Sequence, residues 1–268
     1  MMGSAVKETV LITGGSSGIG YAIAKEFALQ GYHLILVSNQ QEQLQKVAAE
    51  FKETFNTETH TLFLDLAAPD AADKLYAWCS REKLTVDILV NNAGMLIFGE
   101  IAKTGVEKTR CIMTLHTTTP ALICTLFGKD MKERHKGNII IISSLASYMP
   151  YPGIALYAAT KGFLKSFARS LRTEMLDYQV NVTCVCPGAV STDLYDLSPK
   201  WRSVAIKTGI MMRPEKLARK IIRAMQHRKA LLIPGWVNKL SLPVLCILPH
   251  GIIVLIRRHS RLLPPDKP

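Results

Sequence analysis

Seven short apolar runs, each followed by a stretch with room for a helix, restrict this chain to very few architectures. The runs are TVLI (9–12), HLILV (33–37), HTLFL (60–64), DILV (87–90), NIIIIS (138–143), VNVTCVC (180–186) and ALLI (230–233). They are apolar almost throughout rather than alternating, as strands are when helices cover both faces of their sheet. Helical periodicity fills the intervals near 18–30, 40–55, 70–83, 104–135, 155–178 and 213–227. Strand and helix in regular alternation predict an α/β fold, a doubly wound parallel sheet of about seven strands. No repeat, low-complexity segment or linker interrupts the first 234 residues. We therefore expect one domain over 1–234 and a C-terminal apolar, basic extension over 235–268.

The charge is unevenly placed. Residues 1–199 carry 18 Lys/Arg against 19 Asp/Glu, whereas residues 200–268 carry 15 against 2, so the whole net charge of +12 lies in the last quarter. Such asymmetry points to an electrostatic surface role for that quarter. The N-terminus, MMGSAVKETVLITGG, has Lys7 and Glu8 where a signal peptide would be apolar, and no uninterrupted apolar run approaches the ~20 residues of a membrane span. The expectation is a cytoplasmic protein. Six cysteines show no C-x-x-C pair and no zinc spacing with histidines, so they read as buried thiols in a reducing compartment, with no metal site.

The first strand runs straight into Thr13-Gly14-Gly15-Ser16-Ser17-Gly18-Ile19-Gly20, and a helical pattern follows at once. Glycines there permit a tight turn and let a pyrophosphate approach the backbone in front of a helix N-terminus. Further on, Tyr157 and Lys161 stand one helical turn apart in YAATK. An ammonium on the same helix face favours the phenolate and makes the tyrosine a usable proton donor or acceptor.

The T-G-x-x-x-G-x-G spacing is joined by Asn91-Asn92-Ala93-Gly94 after the fourth strand, by Ser144, Tyr157 and Lys161, and by Pro187-Gly188. In this order the motifs resemble the short-chain dehydrogenase/reductase family, over roughly residues 7–235. The resemblance implies a Rossmann-type fold, a nicotinamide cofactor, alcohol/carbonyl interconversion, and dimers or tetramers built on the two long helices. It assigns Ser144 to the substrate oxygen, Tyr157 to proton transfer, and Lys161 to the ribose and to lowering the tyrosine pKa. It also implies cofactor contacts from Thr13, Gly14, Ser16, Ser17, Gly18, Ile19 and Gly20, from Asp65 and Leu66, from Asn91, Ala93 and Gly94, and from Pro187, Gly188, Val190 and Thr192. Asn91 braces the sheet on one reading, and Ser144 caps a strand end on another.

Two positions depart from the family pattern. An asparagine expected about 15 residues before Met131 is His116. Pro120, four residues on, has no N–H for the His116 carbonyl, so a helix through it would leave that acceptor for a proton relay. The imidazole, ordinarily titrating near ~6.5, would join that relay; a degraded site is the other reading. After the second strand the chain reads Val37-Ser38-Asn39-Gln40, without the acid typical for NAD or the arginine typical for NADP. Ser38 and Asn39 donate hydrogen bonds where an acid would repel a 2′-phosphate, which favours NADP over NAD.

For the substrate, Leu145, Met149, Pro150, Tyr151, Leu194, Tyr195, Trp201, Met211 and Met212 are the expected walls, suited to a lipophilic molecule such as a keto lipid, a steroid or a 3-oxoacyl chain. A small-ketone reductase and a cofactor-binding regulator remain alternatives. The extension is cut by Pro243, Pro249 and Gly251, and is expected to form one or two helical turns followed by a short helix. There Ile252, Ile256 and Leu263 share a side, with Arg257, Arg258 and Arg261 toward the other. That is the pattern of a segment lying on an anionic membrane, or else of a lid or subunit contact. No aromatic residue follows Trp236, which argues against nucleic acid.

Overall fold

A computed structural model describes residues 7–149, 152–192 and 198–259. The chain runs β1 (Thr9–Thr13), α1 (Gly18–Leu29), β2 (His33–Ser38), α2 (Gln41–Phe55), β3 (Thr59–Phe63), α3 (Ala71–Arg81) and β4 (Ile88–Asn91). It continues through α4 (Val106–Met113), α5 (Thr119–Glu133), β5 (Gly137–Ile142), α6 (Ala155–Met175) and β6 (Val180–Val185). The last part holds β7 (Ala189–Val190), α7 (Pro199–Lys207), β8 (Met211–Met212), α8 (Pro214–Gln226), β9 (Leu231–Leu232), α9 (Trp236–Ile247) and α10 (His250–His259).

Seven strands form one parallel sheet in the order β3-β2-β1-β4-β5-β6-β9, while β7 and β8 pair separately. The expected sheet is therefore present. Its strand order reverses between β1 and β4, and at such a switch point the two halves of an open sheet part and leave a crevice at their carboxyl ends.

Strand periodicity explains the two cores. Leu11, Ile35, Val37, Leu89, Ile139, Ile141 and Val182 point to the layer of α3, α5 and α6. Their neighbours Val10, Ile12, Leu34, Leu36, Ile88, Val90 and Ile140 point to the layer of α1, α2 and α8. In α8, Leu217, Ala218, Ile221, Ile222 and Met225 repeat with helical spacing and are all buried. Burying each such leucine or isoleucine contributes about 1.5–3 kcal/mol before the entropy of ordering it is counted.

The single helix expected over 104–135 is Val106–Glu133 with a defect inside it. Pro120 lacks the N–H that an α-helix needs at that point, and the chain widens into a π turn over Thr114–Thr118, with the Thr119 N–H donating to the Thr114 carbonyl. This 28-residue helix is long and apolar enough to cross a membrane by length and composition. Ile112, Ile123, Cys124, Phe127 and Met131 are buried, however, so it serves as a layer of the core. The cysteine expectation also needs correction: Cys79, Cys124, Cys184 and Cys186 are buried, but Cys111 is half-buried and Cys246 is exposed.

The extension is more regular than expected. The helix α9 replaces the one or two turns and runs through Pro243, while α10 is the short helix expected after them. Proline removes one ladder bond, the one to Lys239, whose position is exposed, so water can satisfy that carbonyl. Arg261 and Leu263 lie outside the described residues, as do the side chains of Ile256, Arg257 and Arg258.

Candidate active site

A cleft of about 520 Å³ opens at the switch point. Its floor begins with the turn after β1. Gly14 and Gly18 adopt φ of +66° and +55°, a left-handed backbone that side chains disfavour. Gly20 has a different reason to be glycine, because a Cβ there would lie 2.0 Å from the Gly14 carbonyl oxygen. Helix α1 is thereby pressed onto its own turn, with its N-terminus toward the cleft, a cradle that fits a pyrophosphate.

Thr13 fastens this turn to the end of β4. Its hydroxyl donates to the Val90 carbonyl at 3.2 Å and accepts from the backbone N–H groups of Asn92 (2.9 Å) and Ala93 (3.0 Å). The Asn92 amide returns bonds to the Thr13 and Gly14 carbonyls. Thr13 and Gly20 are both buried and are not among the residues that line the cleft. Asn91 is likewise withdrawn, its amide donating to the Pro120 carbonyl and the Cys124 sulfur. That is the bracing role, and it ties β4 to the start of α5.

The remaining expected contacts do line the cleft: Gly14, Ser16, Ser17, Gly18 and Ile19 from the turn, Ser38 and Asn39 after β2, Asp65 and Leu66 after β3, and Ala93 and Gly94 after β4. Pro187, Gly188, Val190 and Thr192 close it from the other side, with Thr192 Cγ2 3.4 Å from where a Gly18 Cβ would stand. Gln40, Asn92, Met95, Cys111, Leu115, Ile142 and Ser143 line it too and were not expected.

Gln40 changes the reading of Ser38. The Gln40 N–H donates to Ser38 Oγ at 3.2 Å, and Ser16 Oγ donates to Gln40 Oε1 at 3.1 Å. Ser16 and Ser38 also share a 2.8 Å contact in which either hydroxyl can be the donor. Ser38 is thus buried and engaged with Ser16 and Gln40, whereas Asn39 beside it is exposed.

Ser144 follows β5 with extended backbone and accepts the Ala146 N–H at 3.2 Å, capping a 3-10 turn over Leu145–Tyr148. Because that bond uses a lone pair, the hydroxyl hydrogen is left to donate to a carbonyl oxygen. Tyr157 and Lys161 sit on α6 and face the same cleft, the Lys161 nitrogen 5.7 Å from the Tyr157 ring centre. Lys161 is 4% exposed and donates to the Ile142 carbonyl at 2.9 Å. Burial pushes its ammonium down to about 8.

His116 is fully buried behind Gly94, where a Cβ would lie 2.9 Å from its Nε2. Nε2 accepts the Met95 N–H at 2.9 Å, so in the neutral ring Nδ1 carries the hydrogen. Nδ1 lies 3.0 Å from Thr160 Oγ1, which in turn donates to the Tyr157 carbonyl at 3.0 Å. Burial, followed by the Lys161 charge, pushes the imidazole down to about 2, so it does not titrate near 6.5 as the relay reading supposed. His116 joins the Gly94–Met95 loop to α6 as a neutral strut. His116→Gln is expected to lower kcat/KM by about fivefold, from the loss of about 1 kcal/mol of hydrogen bonding, with the shape of the pH–rate profile unchanged. Disappearance of a limb near ~6.5 in that variant would restore the titrating relay.

The expected substrate walls fare differently. Leu145, Met149, Trp201, Met211 and Met212 do not line the cleft, and Pro150, Tyr151, Leu194 and Tyr195 lie outside the described residues. Its apolar side comes instead from Met95, Cys111 and Leu115, carried by the loop after β4 and the start of the long helix.

A family model for the short chain dehydrogenases matches residues 8–203. The chain belongs to the short-chain dehydrogenase family. Among curated members, the very-long-chain 3-oxoacyl-CoA reductase of Mus musculus is 33% identical over 199 residues, covering 72% of this chain and 63% of that protein. The dehydrogenase/reductase SDR family member 7B of Xenopus laevis is 30% identical over 249 residues, covering 87% and 75%. The match to the mouse protein thus spans less than two thirds of its length. Among solved structures, a short-chain dehydrogenase from Sphingobium yanoikuyae in complex with NADPH is 25% identical, with a TM-score of 0.78 over 97% of this chain and 99% of that one. L-sorbose reductase from Gluconobacter frateurii, complexed with NADPH and L-sorbose, is 26% identical, with a TM-score of 0.76 over 85% and 95%.

Proposed function

We propose that this chain interconverts a ketone and a secondary alcohol on a lipophilic substrate, using NADP(H), with Tyr157 as general acid and base. The observation that carries the reading is the buried Lys161 ammonium one helical turn below Tyr157, in the same cleft as Ser144. A bound nicotinamide dinucleotide supplies or takes the hydride. Ser144 donates to the substrate oxygen, Tyr157 exchanges the proton, and Lys161 favours the phenolate and holds the ribose. The glycine turn and the N-terminus of α1 hold the pyrophosphate, Asp65 and Leu66 flank the adenine, and Val190 and Thr192 fix the nicotinamide face. NADP is favoured by the absence of an acid at Val37–Gln40 and by the NADPH complexes of the similar structures.

Met95, Cys111 and Leu115 supply apolar surface beside the catalytic groups, and the 3-oxoacyl-CoA reductases among the relatives make a 3-oxoacyl chain the leading substrate class. We place the working form as a homodimer or homotetramer joined through α5 and α6, where Leu122 and Phe163, the latter stacked on half-buried Phe167, offer exposed apolar surface. The L-sorbose reductase favours a second reading, a small polar ketone. Oxidation of NADPH against 3-oxoacyl thioesters, keto steroids and small ketones separates them. Long-chain ketones should exceed short ones in kcat/KM by more than about tenfold, the effect of burying two methylenes. A preference for small polar ketones would overturn the lipophilic assignment.

A further inference from the structure

Helix α9 turns its apolar side outward. Trp236, Leu240, Val244 and Ile247 follow one another at helical spacing, and each is 59–77% exposed. On α7, Trp201 and Val204 are exposed in the same way, followed by Ile210. The turn that follows α7 reaches the start of α9, since a Cβ on Gly209 would lie 3.7 Å from Trp236 Nε1 and 3.8 Å from Val237 Cγ2. Ile252 and Leu255 of α10 add to the apolar surface. A concentration of large apolar side chains on the outside marks an interaction surface.

Its charge selects the occupant. Residues 198–212 and 235–259 contain Lys200, Arg202, Lys207, Lys239, Arg257 and Arg258, and no aspartate or glutamate. A second copy across a two-fold axis would bring the same cations face to face. A membrane containing anionic lipid offers what this segment lacks, a plane of negative charge over an apolar interior, and tryptophan suits the boundary between the two.

The face also borders the cleft. Asn238 of α9 rests against Gly188, where a Cβ would lie 2.5 Å from its Oδ1, and Gly188 lines the cleft. Helix α9 packs on the 3-10 turn that Ser144 caps, and β8, which follows α7, pairs with β7, whose Val190 lines the cleft. We propose that α7 and α9 seat the protein on an anionic lipid surface, with the cleft taking its substrate from that surface. The docking half stands on the exposed face alone; the substrate half rests on the lipophilic reading above.

The test is sedimentation of the full chain with phosphatidylserine-containing and with phosphatidylcholine vesicles, alongside tryptophan fluorescence. Binding is expected to the anionic vesicles at low salt, with a blue shift, and to be reduced but not abolished by salt. Leu240→Ser combined with Ile247→Ser, both on the exposed stripe, should weaken partitioning by on the order of tenfold and leave turnover of a short water-soluble ketone unchanged. A full-length protein that stays in the supernatant at low salt, or equal partitioning of the double variant, overturns the proposal. So does light scattering that shows an assembly lost in the double variant, which would make a second copy the occupant. Absence of turnover with every ketone, with vesicle binding intact, would instead remove the oxidoreductase reading and leave the docking face standing.

Discussion

Tyr157→Phe is expected to lower kcat by about 10²–10⁴, the usual cost of removing a positioned general acid. The change deletes one oxygen, and the ring's edge-on contact with His116, 5.9 Å between centres, is kept. Fold and cofactor affinity should therefore be nearly those of the parent, because the glycine turn, Lys161 and the Val190–Thr192 segment are untouched. Titration of the variant with NADPH by fluorescence and single-turnover kinetics separate the two effects. Residual turnover within about tenfold of the parent would show that the proton comes from elsewhere.

Lys161→Met should abolish useful turnover and yet stabilise the cofactor-free protein at neutral pH. Burial holds the lysine at about 8, against 10.5 in the open chain, so its charged form is penalised in the folded state. A shift of that size corresponds to roughly 3 kcal/mol. Losing the bond to the Ile142 carbonyl returns part of it, about 1–2 kcal/mol, leaving a net gain of about 1–2 kcal/mol. The pH dependence carries the sign. Between pH 8 and 10.5 the unfolded chain binds a proton that the folded one has released, so the parent gains stability as pH rises through this window. The variant should lack that rise. Denaturant unfolding at pH 7 and pH 10 checks both statements, and equal pH slopes for the two proteins would show that the lysine is not penalised by burial.

What the sequence disclosed and what it withheld follow from locality. The strands and the turn Thr13–Gly20 are local patterns of apolar runs and glycines, and the pair Tyr157–Lys161 is set by one helical turn. Finding His116 needed only counting, but its protonation depends on Met95, Thr160 and Lys161, which lie far from it in sequence and meet only in the fold. The engagement of Ser38 with Ser16 and Gln40 depends on how the Gln40 side chain folds back to Ser16, which no spacing reveals. Asp65 and Leu66 were found by motif, while Met95, Cys111 and Leu115 were missed because they come from the loop after β4 and from the start of the long helix, which meet at the cleft only in the fold. The part of the extension before its short helix was read as one or two turns because its prolines were weighted as stops. On an exposed helix one missing bond at Pro243 is met by water, so α9 continues through it.

The most direct test of a tyrosine primed by a buried ammonium is the pH dependence of kcat/KM for the parent and for Lys161→Ala. With lysine present, the account expects a basic limb below the ordinary phenol value near ~10, because the charge favours the phenolate and Lys161 itself gives up its proton at about 8. With alanine, the residual activity should show that limb moved up toward ~10 and a weaker affinity for NADPH. A basic limb at the same pH in both proteins would contradict the account, leaving Lys161 at most a ribose contact.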